Sequence, residues 1–162
     1  MKLRQISDID LASVLASSEM NAEFGPRYGE AADLREVDLR GKDLSDKWLT
    51  EIAFHRADLA EADLRRSNLA YAEMNDANLS GANVSGANMY CVDLRGANLE
   101  GLLGWRGALG WIVANLYNVR NAPRGFVEWA ISEAGSVSLA DDKRWIESIG
   151  DQWMGRPYRH IR

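Results

Sequence analysis

The side chains best suited to covalent or acid–base work are scarce in this sequence: two histidines, His55 and His160, and one thiol, Cys91. Catalysis needs a nucleophile, a base or a metal held within hydrogen-bond reach of its helpers. No HExxH, CxxC or GxxxxGK spacing supplies such a set. The segment Ser80-Gly81-Ala82-Asn83-Val84-Ser85-Gly86 resembles a phosphate loop only superficially, since its glycines recur at intervals of five along the chain. Carboxylates are plentiful: 24 Asp and Glu stand against 19 Lys and Arg, for a formal net charge of −5. That balance argues against general nucleic-acid binding, which needs clustered Lys and Arg. The expectation is a protein that is not an enzyme and needs no metal or cofactor, its polar chemistry being recognition.

A lone cysteine cannot form an internal disulfide, which points to a reducing compartment. The first residues lack the apolar stretch of a secretory signal. The most apolar window, Leu102 to Val119, contains Arg106, Asn115 and several glycines, too polar and too short for a membrane span. Together these predict a cytoplasmic location.

The elements that position these groups follow from a repeat. Every fifth residue from Leu34 to Leu99 is large and apolar, fourteen in succession. Two residues earlier runs a second column, in which eight of fourteen positions are alanine. The residue immediately before the large one is Asp or Asn in eleven of fourteen cases, as in Ala57-Asp58-Leu59 and Ala77-Asn78-Leu79. A helix repeats near 3.6 residues and a strand at 2, so neither holds a fivefold column on one face. A chain that turns a corner once per pentad does. One large and one small side chain then point inward, and stacked coils bury them in a continuous core.

Residues 32–101 thus resemble the pentapeptide-repeat family, whose motif is A(D/N)Lxx. The resemblance implies a mainly β fold, a right-handed quadrilateral β-helix in which four pentads make one coil. Asp and Asn before the large residue suit corners, because they bond nearby backbone groups. Lys42 and Lys47 fall in the small inward column and must snorkel outward or mark a bulge. Trp48 and Ala53 replace the polar residue. Past Leu99 the comb weakens: Gly104 stands where a large residue is due, Leu109 returns to register, and Ala114-Asn115-Leu116 repeats the motif slipped by two.

Three regions follow. Residues 1–29 form an N-terminal helical cap, with a helix from Ser7 to Met20 opened by a Ser7/Asp10 capping box. Residues 30–120 form the β-helix, its last coil degenerate. Residues 121–162 form a helical, Trp-rich segment, with Phe126 to Ala134 one helix and Ser138 to Met154 another. Trp145, Ile149 and Trp153 make one stripe on the latter. That stripe either caps the last coil or, as the family's topoisomerase-binding members imply, forms a homodimer contact.

Folding the pentads onto four sides sorts the charge. Side one sets five carboxylates (Asp33, Glu36, Glu73, Asp76, Asp93) against Arg35, Arg56 and Arg95. Side two sets Asp38, Asp58, Glu61 and Glu100 against Arg40, and sides three and four balance. His55 falls on side one, nearly two coils from Cys91 on side four, so the two do not pair. The acidic flank suggests a partner built for the phosphate backbone. The family's fluoroquinolone-resistance proteins look like DNA in this sense, which implies an acidic DNA-mimic inhibitor of a topoisomerase, restriction or other defence complex, with no direct nucleic-acid or membrane binding. Four coils span only about 20 Å, short of one duplex turn at about 34 Å; a C-terminal dimer would double that. The alternative is a scaffold that binds protein through side four, where Trp48, Tyr71 and Tyr90 form an uncharged aromatic surface, or through the C-terminal helix. The tail folding back over side four would close it.

Overall fold

The computed structural model describes residues 2–24 and 32–149. Its central feature is a ladder of parallel pairings between residues twenty apart: Asp33, Ala53, Glu73 and Asp93 on side one, then Asp38, Asp58, Asn78 and Asn98 on side two. Asp43, Asp63, Asn83 and Leu103 line side three, and Trp48, Asn68 and Asn88 line side four. Twenty residues therefore make one coil, and the coil has four sides. The fourteen large residues from Leu34 to Leu99 are each 1% exposed or less. Burial on that scale contributes about 1.5–3 kcal/mol per side chain.

Each corner is made the same way. Every fifth residue from Glu36 to Gly101 has φ between +53° and +70°. At twelve of the fourteen, the next residue donates its N–H back to the large apolar residue, as in Ala57 N to Phe54 O at 2.8 Å. A left-handed residue at the third position is the pattern of a type II turn. Nine of these corners carry a side chain rather than glycine, at about 1 kcal/mol of strain each. Coil-to-coil bonds such as Leu59 N to Asn78 O and Asp58 N to Val37 O hold them.

The corner geometry moves one expectation. Asp and Asn do not occupy the corners; they sit on the flat of each side, in the paired position just before the turn. Their Oδ1 accepts the backbone N–H two residues on, as Asp58 does from Ala60 and Asn78 from Ser80. The fold also differs from a mainly β protein in one respect. Only one residue per side pairs before the chain turns, so bridges stay isolated and no extended strand forms among the described residues.

Lys42 and Lys47 mark no bulge, for the spacing of twenty runs unbroken past both. Lys42 reaches outward to the carboxylate of Asp8. Beyond Leu99 the spacing changes: Asn83 pairs with Leu103, Asn88 with Leu109, and Asp93 with Asn115. One residue is inserted on each of two successive sides, which produces the slip of two. Leu109 consequently does not return to the inward column. It takes the outward paired position, 62% exposed, and Trp111 enters the interior instead, 2% exposed.

The chain ends close the core. Helix α1 (Asp8–Phe24) is capped by Ser7, whose Oγ accepts the Asp10 N–H, and buries Leu11 and Leu15. Ahead of it Arg4 pairs in parallel with Val37, so the N-terminal segment continues side two. Helix α2 (Phe126–Ser132) places Phe126 and Ala130 against the last coil, with the Phe126 ring edge-on to Trp105 and Trp111. Val137 then adds one more rung to side one by pairing with Asn115. That rung delays the final helix. Helix α3 runs Asp142–Ile149, so it begins four residues after Ser138, capped by Asp141, which accepts the Arg144 N–H.

Candidate partner-binding faces

Stacking at intervals of twenty places the acidic side chains of sides one and two on adjoining walls of the rod. The arginines answer them unevenly. Asp33 is forked to Arg35, a hydrogen-bonded pairing that holds its carboxyl at about 2. Asp38 is forked to Arg40 at 2.6 Å and held below the usual carboxylate range by it. The same guanidinium lies 3.7 Å from Asp58. Asp93, expected on the outer surface, is withdrawn from it: it is 2% exposed and forked to Arg95, because the Asn115 rung stacks on it and Arg95 lies over the Trp145 ring of the tail. Asp38 and Asp58 also carry structure, since their Oδ1 atoms bond the N–H of Arg40 and Ala60.

Three carboxylates of the flank differ. Glu61, Asp76 and Glu100 are exposed and make no ion pair among the described residues. Glu61 and Asp76 stand at left-handed corners and Glu100 beside one, so their side chains leave the rod at its edges. Glu73 is partly buried on side one. Between these edges runs a ladder of amides. Asn78 Nδ2 donates to Asp58 Oδ1 at 2.9 Å, Asn98 donates to Asn78 at 3.0 Å, and Asn121 donates to Asn98 at 2.9 Å. Side two is thus a flat, rigid polar wall with free carboxylates at its margins.

Side four is covered over its later coils. Tyr71 and Tyr90 meet edge-to-face, 5.4 Å between centroids, and pack beneath Trp145 and Ile149 of α3 together with Cys91 and Val113. Trp145 and Ile149 are each 1% exposed within the chain. The Trp145 indole N–H donates to Val113 O at 2.9 Å, and its ring lies 5.4 Å from the Arg95 guanidinium. The aromatic face expected at Tyr71 and Tyr90 is thus partly covered by the tail, and Trp145 and Ile149 are packed within the chain. Both sets of side chains cover one another. Trp48, on the first coil below this cluster, is 44% exposed. Trp153 and His160 lie outside the described residues.

The sparse reactive groups are placed apart. Cys91 is fully buried, and burial pushes its thiol up to about 11. Burial also raises the Tyr90 hydroxyl. His55 Nδ1 lies 2.5 Å from the Asn75 amide one coil on. No group of three His, Cys, Asp or Glu fit to hold a metal occurs among the described residues. No described helix is long and apolar enough to cross a membrane.

Sequence reasoning missed Asn115. It is fully buried; its Oδ1 accepts from Tyr117 N and Leu139 N, and its Nδ2 donates to Leu139 O. One side chain thereby clamps the tail to the last coil. The slipped Ala114-Asn115-Leu116 motif was the available signal.

Comparison with protein families finds the model for pentapeptide repeats matching in eight copies, over residues 49–86 and 75–101. Among solved structures, a pentapeptide repeat protein from the Arabidopsis thaliana thylakoid lumen is 25% identical, covering 76% of this chain and 81% of that one, with a TM-score of 0.44. HetL, a pentapeptide repeat protein involved in heterocyst differentiation regulation in the cyanobacterium Nostoc sp. strain PCC 7120, is 26% identical. It covers 68% of this chain and 46% of its own, with a TM-score of 0.43. QnrB1, a plasmid-mediated fluoroquinolone resistance protein, is 21% identical over 75% of this chain and 70% of its own, with a TM-score of 0.41. Comparison with curated proteins returns no match.

Proposed function

We propose that this chain, whose residues 49–101 are pentapeptide repeats, is a non-enzymatic rod that binds a protein through sides one and two. In that reading the acidic flank stands in for DNA and occupies the DNA-binding surface of a DNA-handling enzyme. The observation that carries it is the ladder of parallel pairings at intervals of twenty, which gathers the excess carboxylates onto two adjoining walls while α3 covers side four. A rigid wall costs little ordering entropy on binding. Exposed carboxylates at its margins steer a cationic partner onto it.

The arginine pairings sharpen the reading. Charges already forked to Arg35, Arg40 and Arg95 contribute little to an outward field, so Glu61, Asp76 and Glu100 are the residues expected to act. The test is inhibition of type II topoisomerases and restriction endonucleases by the purified chain, with salt and duplex DNA varied. Inhibition should weaken with salt, fall away as duplex is added, and vanish in the triple variant Glu61→Gln, Asp76→Asn, Glu100→Gln. Undiminished inhibition by that variant, with its fold intact, would refute the proposal.

A further inference from the structure

The pairing of Arg4 with Val37 lays the N-terminal segment along the first coil and creates a feature the repeat alone does not have. Between this segment and side two lies a recess of about 480 Å³, walled by Gln5, Ile6, Asp38, Arg40, Lys42 and Glu61. Gly41 and Ala60 also line it, and neither has a side chain long enough to fill it.

Most of its charge is already spent. Arg40 is engaged by Asp38 and Asp58, and Lys42 by Asp8. Asp38 further accepts a hydrogen bond from Gln5 Nε2 at 3.3 Å. That leaves two groups facing the recess with acceptor capacity to offer: the Glu61 carboxylate, without an ion pair among the described residues, and the Gln5 carbonyl, whose amide partner is the donor in that bond. Ile6, half-buried, supplies an apolar wall. A carboxylate, a carbonyl and an apolar wall around a space of this size suit a planar cation on an apolar stem. An anion would meet Glu61 while finding both cations neutralised.

We infer that this recess receives an arginine side chain of the protein partner, its guanidinium on Glu61 and Gln5 and its stem along Ile6. The inference rests on the reading that the acidic flank meets a DNA-handling enzyme, whose surface presents arginines to phosphate. It names the first-coil end of side two as the anchoring point, with Asp76 and Glu100 as outlying contacts.

A tetra-arginine peptide amide, titrated into the ¹⁵N-labelled full chain, tests it without the partner. Amide shifts should concentrate at Gly41 and the Gln5 side chain. Glu61→Gln should weaken binding about tenfold, and Glu133→Gln, exposed and outside both the recess and the acidic flank, should change it less than about twofold. A tetra-lysine peptide should bind more weakly; equal affinity would overturn the guanidinium assignment. Shifts spread evenly along sides one and two, with Glu61→Gln no worse than Glu133→Gln, would overturn the recess itself. Enzyme inhibition separates the two layers. Loss of inhibition in the triple variant with no focused peptide binding leaves the acidic flank standing and removes the recess. Focused peptide binding with no inhibition of any DNA-handling enzyme does the reverse.

Discussion

Replacing Trp145 with alanine gives the sharpest test of how the tail is used. Trp145 is 1% exposed, donates its indole N–H to Val113 O, and shares a cluster with Cys91, Val113 and Ile149. Truncating a buried aromatic residue to alanine costs about 3–5 kcal/mol. In a stacked-coil protein this loss falls mainly on the nearest structural unit, so α3 should open before the coils do. An opening equilibrium shifted by about 3 kcal/mol is roughly a hundredfold rise in open population. The chain carries its own reporter, for Cys91 is its one cysteine and is fully buried beneath α3. Its reaction with an aromatic disulfide reagent should therefore be slow in the wild type and about a hundredfold faster in Trp145→Ala. The far-ultraviolet spectrum of the coils should change little. Unchanged thiol reactivity in a folded variant would show that α3 does not cover side four. A wild-type mass of two chains that falls to one on this substitution would restore the dimer contact.

Other expectations follow from the same geometry. Asn115→Ala should destabilise the tail by about 2–3 kcal/mol, because it strands Leu139 N and O without their partner; hydrogen exchange at Leu139 reads this, and protection equal to wild type would contradict it. Gly104→Ala should cost more than Gly41→Ala. Both need φ near +60° to +70°, but an added Cβ at Gly104 would overlap Ser85 Oγ and stand 2.8 Å from the Ser85 backbone nitrogen, whereas Gly41 has open space. Denaturant midpoints should show about 1 kcal/mol for Gly41→Ala and a clearly larger loss for Gly104→Ala. Acid should weaken the fold through Asp33, Asp38, Asp43, Asp46 and Asp63, all held below their ordinary range by hydrogen bonds from Arg or Ser. A depressed carboxyl gives stability that is present above the unfolded value, about 3.9, and is lost as pH falls through the folded value, about 2 for Asp33. Melting temperatures should hold from pH 7 to about 5 and drop below about 4; a drop already under way at pH 6 would point to other groups.

The coil was legible in the sequence because its periodicity is a direct consequence of which residues are swallowed. A comb from Leu34 to Leu99 admits only a chain that turns every five residues. The assignment of pentads to sides was legible too, since twenty residues per coil leave no freedom. Less visible was the division of labour within a pentad. Asp and Asn bond the backbone ahead of the corner, and the corner itself falls on the two residues after the large apolar one. The recurrence of Gly81, Gly86, Gly96 and Gly101 pointed there, but nine corners carry ordinary side chains and hid it. The insertions around Gly104 and Gly110 moved Leu109 outward, which a fixed comb of five cannot register.

The candidate faces were half legible. Charge by side follows from spacing alone. Which charges remain available does not, because Asp93 is buried beneath the shifted Asn115 rung and forked to an Arg95 that lies over the tail's Trp145. The closure of Tyr71 and Tyr90 is likewise a tertiary event, set by α3 reaching back across the last coils from the Asn115 clamp.

Carboxylate footprinting of the chain bound to an enzyme it inhibits addresses the central claim most directly. Carbodiimide-coupled amine labels should be lost in the complex at Glu61, Asp76 and Glu100, and kept at the exposed Glu128 and Glu133 of the C-terminal region. Protection at Glu128 and Glu133, with Glu61, Asp76 and Glu100 still labelled, would place the partner on the other end of the rod and contradict the account.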